Sequence, residues 1–161
     1  MDYKDTVAIL GANSRLGNVI ARGICNRYRL LLMDEQIQPL TALAHDIATF
    51  NYNAIVEVIQ CCKDASWEAD IIVVVAKETA QAAIATKIRE VATCKTVINI
   101  VFSANGCKSL QQLLPHSKVV TILVHENEDE KGWSIVSLEA TNDASKATAM
   151  EMMPFIGLTV A

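Results

Sequence analysis

The residues best suited to chemistry form one short segment, Gly11-Ala12-Asn13-Ser14-Arg15-Leu16-Gly17, between an apolar β-branched run and a stretch with helical spacing. Glycine at 11 permits a tight turn, and glycine at 17 lets the following helix pack close on the strand before it. Backbone N–H groups at the helix start, helped by the positive end of the helix dipole, then face a pyrophosphate. In a G-x-x-G-x-x-G reading the middle glycine falls on Ser14, whose hydroxyl serves as a phosphate donor, and Arg15 neutralises phosphate charge. The competing reading is an ordinary strand-to-helix turn; the position after the first strand of a βαβ unit favours the nucleotide site.

Asp34 ends the second apolar run, about 20 residues beyond the loop, where an acidic side chain accepts hydrogen bonds from an adenosine ribose. A carboxylate there repels a 2′-phosphate and favours NAD over NADP. Arg15 pulls the other way, because a guanidinium in this loop can bind a 2′-phosphate, so NADP stays open. Asp34 as a helix N-cap or a solvated loop acid is the alternative.

Other candidates are sparser. Lys77, preceded by Ala76, stands at a strand's carboxyl end, where ligands of open α/β sheets bind; its alternative is a solvated lysine at a helix start. His45 and His116 read as surface residues, and His125 follows the sixth strand with no carboxylate partner assignable from sequence. Asn99, inside an apolar strand, reads as a hydrogen-bonded core residue. No Ser-His-Asp arrangement, P-loop lysine or metal cluster appears, and the catalytic residue is left unassigned.

The elements that must position these groups alternate. Strand-like runs are Thr6 to Leu10, Arg29 to Met33, Ala54 to Ile59, Ile71 to Ala76, Lys95 to Phe102, Lys118 to Val124 and Trp133 to Leu138. Helical spacing follows Leu16, begins again near Pro39 with Leu40, Leu43, Ala44 and Ile47 on one face, returns over Glu78 to Thr93, and closes the chain over Ala144 to Pro154. Strands solid with Val, Ile and Leu suit parallel sheets covered on both faces. The expected fold is therefore a doubly wound, mostly parallel α/β sheet in one domain spanning residues 1–161.

Composition fits that outline. A chain of 161 residues, 52% hydrophobic, buries a core without disulfides or metals. A net charge of −4 argues against a nucleic-acid or anionic-membrane partner. The five cysteines, Cys25, Cys61, Cys62, Cys94 and Cys107, include no C-x-x-C pair and read as reduced thiols. No apolar stretch approaches the ~20 residues of a membrane span. No signal peptide is evident at the polar N-terminus, so a cytoplasmic location is expected.

The order of segments carries a resemblance. TVAILGANSRLGNVIARGI, EADIIVVVAKETAQAAIATKI and KTVINIVFSANGCKSLQQLLPHSKVVTIL, with the tail LEATNDASKATAMEMMPFIGLTVA, resemble the N-terminal domain of the pyrroline-5-carboxylate reductase and F420-dependent NADP oxidoreductase superfamily. The resemblance implies a Rossmann-type NAD(P)-binding domain, with Gly11 to Gly17 at the pyrophosphate and Asp34 at the ribose. Ala76 and Lys77 match the segment lining the nicotinamide side, where the family often reads Val-Lys-Pro and this chain has Ala76-Lys77-Glu78. Asp34-Glu35 replaces the NADP-selecting arginine of F420-linked members, and His125-Glu126-Asn127-Glu128 stands where relatives carry a proline-containing substrate loop.

Those reductases continue into a helical domain that forms the dimer and much of the substrate pocket, and this sequence stops where that domain would begin. The expected function is a small oxidoreductase transferring hydride, with substrate held at a homodimer interface or by a partner protein. The alternative is a non-catalytic dinucleotide-sensing or protein-interaction module. Tyr-x-x-x-Lys dehydrogenase chemistry is excluded, because none of Tyr3, Tyr28 and Tyr52 has a lysine four residues on.

Overall fold

The structure, a computed structural model, describes residues 4–103, 110–127, 132–156 and 158–160. Strand β1 (Thr6–Leu10) leads into helix α1 (Arg15–Ile24), followed by β2 (Arg29–Met33), α2 (Ile37–Phe50), β3 (Val56–Val58) and α3 (Cys62–Glu68). The second half runs β4 (Ile71–Val75), α4 (Glu78–Ile88), β5 (Thr96–Val101), α5 (Leu110–Leu113), β6 (Lys118–Glu126), β7 (Trp133–Ala140), α6 (Asp143–Met152), a 3-10 turn (Met153–Phe155) and β8 (Leu158–Val160).

These strands form one sheet in the order β3-β2-β1-β4-β5-β6-β7-β8. Strands β1 to β6 are parallel, β7 runs antiparallel to β6, and β8 is parallel to β7. The turn from β6 to β7 is too short for the crossover a parallel pair requires, so the chain doubles back as a hairpin. Between β1 and β4 the winding reverses, which opens a crevice at the carboxyl ends of both strands.

Alternation of side chains along the strands supplies both faces. In β1, Val7 and Ile9 pack with Leu16, Ile20 and Ile24 of α1, whereas Ala8 and Leu10 pack with Cys62 and Ala65 of α3 and with Ala85 and Ile88 of α4. Each fully buried aliphatic side chain contributes about 1.5–3 kcal/mol. The two-sided apolar demand on β1, β2 and β4 explains why their sequences are nearly continuous hydrophobic runs.

Three expectations shift. Strand β3 is shorter than Ala54 to Ile59, because it is an edge pairing only through Val56, Glu57 and Val58 with β2, and Ile55 is left 48% exposed. Helix α4 stops at Ile88 rather than Thr93; Cys94, at φ 64°, takes the left-handed turn that directs the chain into β5. His125 lies within β6, not after it. Helices α3 and α5 and strand β8 have no counterpart in the sequence reading. Cys107 and most of the charged loop Glu126 to Lys131 lie outside the described residues.

Candidate functional site

The glycine segment is a tied turn at the mouth of the crevice. Gly11 has φ +98°, and a Cβ there would lie 2.0 Å from the Val75 carbonyl oxygen, so only glycine lets β1 leave the sheet beside β4. The Gly11 and Ala12 amides donate to the Met33 carbonyl at 2.9 and 3.2 Å, which fixes the loop to the end of β2. A Cβ on Gly17 would meet the Gly11 carbonyl oxygen at 2.4 Å. The start of α1 therefore sits directly on the turn, as close strand–helix packing requires.

Ser14 is the N-cap of α1. Its hydroxyl donates to the Gly11 carbonyl at 2.8 Å and accepts from the Gly17 amide at 3.0 Å. In this arrangement the hydroxyl proton is directed into the loop, at the Gly11 carbonyl. The Asn18 side-chain amide closes the turn from below, donating to the carbonyls of Ala12 at 2.8 Å and Ser14 at 3.2 Å. The first-turn amides of Arg15 and Leu16 precede any intrahelical acceptor and point out of the helix start.

Asp34 belongs to the same assembly. Its Oδ2 accepts the Asn13 amide at 2.9 Å and its Oδ1 accepts the Glu35 amide at 2.8 Å. It is not the cap of α2: that position is Gln36, which makes no side-chain cap bond. The Asn13 side-chain amide donates to the Gln36 carbonyl at 2.9 Å, while Asn13 Oδ1 is buried without a hydrogen-bond partner. A carboxylate with lone pairs to spare and a buried acceptor needing a donor stand together between loop and β2.

Arg15 points elsewhere. Its guanidinium pairs with Glu126 Oε1 at 2.6 Å and lies 4.9 Å over the Trp133 ring. Both partners are on the β6–β7 side of the sheet, with β4 and β5 between them and β1, whereas Asp34 is on the β2 side. Arg15 and Asp34 therefore do not converge on one ribose. Ala76, half-buried, and the exposed Lys77 before α4 lie at the end of β4, flanking Gly11 opposite Asp34.

The remaining candidates separate from the crevice chemistry. Asn99 is buried, and its Oδ1 accepts from Gln81 Nε2 at 3.0 Å, joining β5 to α4 as a core amide pair. His45, His116 and His125 are all exposed. Lys95 donates to the Ser66 and Trp67 carbonyls at 2.6 and 2.7 Å, capping the end of α3, and burial pulls its ammonium below the usual lysine range. Among the described residues no cluster of His, Cys, Asp or Glu could hold a metal. None of their helices is long and apolar enough to cross a membrane.

One feature escaped the sequence reading. A cleft of about 590 Å³ opens beside Met33, lined also by Gln60, Cys61, Cys62, Thr86 and Lys87. It adjoins Asp34 through the end of β2. Its walls come from the end of β2, the segment entering α3 and the C-terminal part of α4, scattered positions that carry no periodic apolar signal.

Sheet order, switch point and glycine turn together define a Rossmann-type α/β domain. No protein-family model and no curated sequence matches the chain. Solved structures do match: pyrroline-5-carboxylate reductase from Coxiella burnetii aligns with TM-score 0.75 at 16% identity, over 99% of this chain and 58% of that one. A protein described as an F420-dependent NADP reductase, from an Arthrobacter species, aligns with TM-score 0.71 at 14% identity, over 96% of this chain and 82% of that one. Plasmodium falciparum pyrroline carboxylate reductase, solved with NADP bound, gives TM-score 0.67 at 14% identity, over 96% of this chain and 56% of that one. The chain thus shares their fold, and it spans little more than half the length of the two pyrroline carboxylate reductases.

Proposed function

We propose that this chain binds a nicotinamide dinucleotide, NAD in preference to NADP, and serves as the cofactor-binding half of a hydride-transfer reaction. The observation that carries the reading is the Asn13 amide to Asp34 carboxylate bond, 2.9 Å long, which sets an acidic acceptor against the glycine turn. The residues present fit such a ligand. The Arg15 and Leu16 amides at the positive end of α1 hold a phosphate. Asp34 and the orphaned Asn13 Oδ1 accept ribose hydroxyls, and the cleft beside Met33 leaves room for the adenine.

The charge on Asp34 disfavours a 2′-phosphate at the same ribose. Ala76 and Lys77 border the other half of the crevice, beside the Gly11 turn. When bound, the nicotinamide supplies the hydride donor or acceptor; the chain supplies orientation and a fixed set of dipoles. Substrate contacts are assigned to a second copy or a partner protein.

Calorimetric titration with NAD, NADH, NADP and NADPH tests the proposal. Micromolar binding of NAD(H) that is lost in Asp34→Ala supports it. Preference for NADP(H) would overturn the role given to Asp34, and heat-silent titrations with all four would remove the dinucleotide reading.

A further inference from the structure

The ion pair between Arg15 and Glu126 is oddly placed for a purely structural contact. Arg15 is the first residue of α1, so its cation stands at the positive end of the helix dipole, and no acidic residue occupies that first turn. The side chain is stabilised there from outside, by Glu126 at 2.6 Å and by the face of Trp133, itself only 5% exposed. Arg15 and Glu126 side chains are 63% and 53% exposed, so water screens their attraction and the pair exchanges readily. An anion seated at the start of α1 would satisfy both the guanidinium and the dipole, which Glu126, reaching from three strands away, does only in part.

We infer that Glu126 is an internal competitor for Arg15, and that ligand pyrophosphate displaces it, lifting Arg15 off Trp133. The inference rests on the dinucleotide reading above. In the structure Arg15 is parked across the ends of β4 and β5 toward β6. In the bound chain it closes on the phosphates, and the Glu126 carboxylate is released at the far end of the crevice. The arrangement makes Arg15 respond to the pyrophosphate group, while the nucleoside is read separately at Asp34.

Trp133 reports the exchange directly. Trp67 is the other tryptophan and is 69% exposed, so Trp67→Phe leaves Trp133 as the sole tryptophan, read by excitation that spares tyrosine. In that background, NAD and ADP-ribose, which carry pyrophosphate, should change Trp133 emission, and adenosine, which lacks it, should not. Glu126→Gln should tighten NAD about two- to fivefold, the range an exposed ion pair supports. In Arg15→Ala binding weakens and the Glu126 effect disappears.

Tighter binding in Glu126→Gln with pyrophosphate-dependent emission supports the exchange. Calorimetric binding of NAD with unchanged Trp133 emission, or with Glu126→Gln no tighter than the parent, overturns the exchange and leaves the site intact. Absence of binding by NAD, ADP-ribose and adenosine alike overturns both.

Discussion

The Asp34 carboxylate reaches from the end of β2 to the Asn13 amide at 2.9 Å, so the acid and the glycine turn are one structural unit rather than two separate ligand contacts. Under the proposed function, binding and stability are coupled at this residue: removing the carboxylate withdraws the acceptor of a partly buried N–H and, with it, the proposed ribose partner.

Asp34→Ala should therefore lower unfolding free energy by about 1–3 kcal/mol, the cost of orphaning a charge-assisted hydrogen bond, and weaken NAD about tenfold or more. Asp34→Asn offers one amide oxygen to two N–H donors and should fall between. Urea denaturation and calorimetry on the same samples check both effects.

Two of the three tight glycines separate site from scaffold. Gly11→Ala combines a φ of +98° with a Cβ 2.0 Å from the Val75 oxygen, and Gly23→Ala drives α1 against the Phe155 oxygen at 1.6 Å. Each should cost about 2–4 kcal/mol. Below its melting temperature, however, Gly23→Ala should bind NAD as the parent does, whereas Gly11→Ala should not.

The buried pair Gln81 and Asn99 predicts non-additivity. Gln81→Leu or Asn99→Leu alone strands the other amide and should cost about 1–3 kcal/mol. The double variant should cost less than the sum, because no buried amide is left unpaired. Additive losses in a double-mutant cycle would contradict the pairing.

Burial pushes the Cys25 and Cys62 thiols above their ordinary value of 9.0, and the Tyr28 hydroxyl above 10.0. The unfolded chain then releases these protons at lower pH than the folded one. Their contribution to stability is intact below pH 9.0 and declines as pH climbs past it. Denaturation midpoints should fall on the alkaline side, and Cys25→Ala with Cys62→Ala should flatten the fall. Exposed Cys61 and Cys94 should react with thiol reagents in the native state, and NAD should protect Cys61, at the cleft beside Met33, but not Cys94.

Much of this fold is legible in the sequence. Thr6 to Leu10 and Arg29 to Met33 coincide with β1 and β2, because strands buried on both faces must be solidly apolar and Gly11 and Asp34 punctuate them. Helix α3 is not, since its buried side is Cys62, Ala65 and Ser66, small residues with little hydrophobic signal. The spacing of Asp34 from the glycine segment is visible in the sequence, yet its bond to Asn13 depends on the register of β1 against β2. The turn of Arg15 toward Glu126 follows from a pairing of strands remote in sequence, which no local pattern encodes.

The most direct measurement is an amide-resolved NMR titration of the 15N-labelled protein with NAD. The account predicts shifts centred on Gly11, Asn13, Leu16 and Gly17, with a further change at Glu35 as Asp34 redistributes its hydrogen bonds, and none at Cys94. Binding that leaves the glycine-turn amides unmoved would place the ligand elsewhere and contradict the central claim.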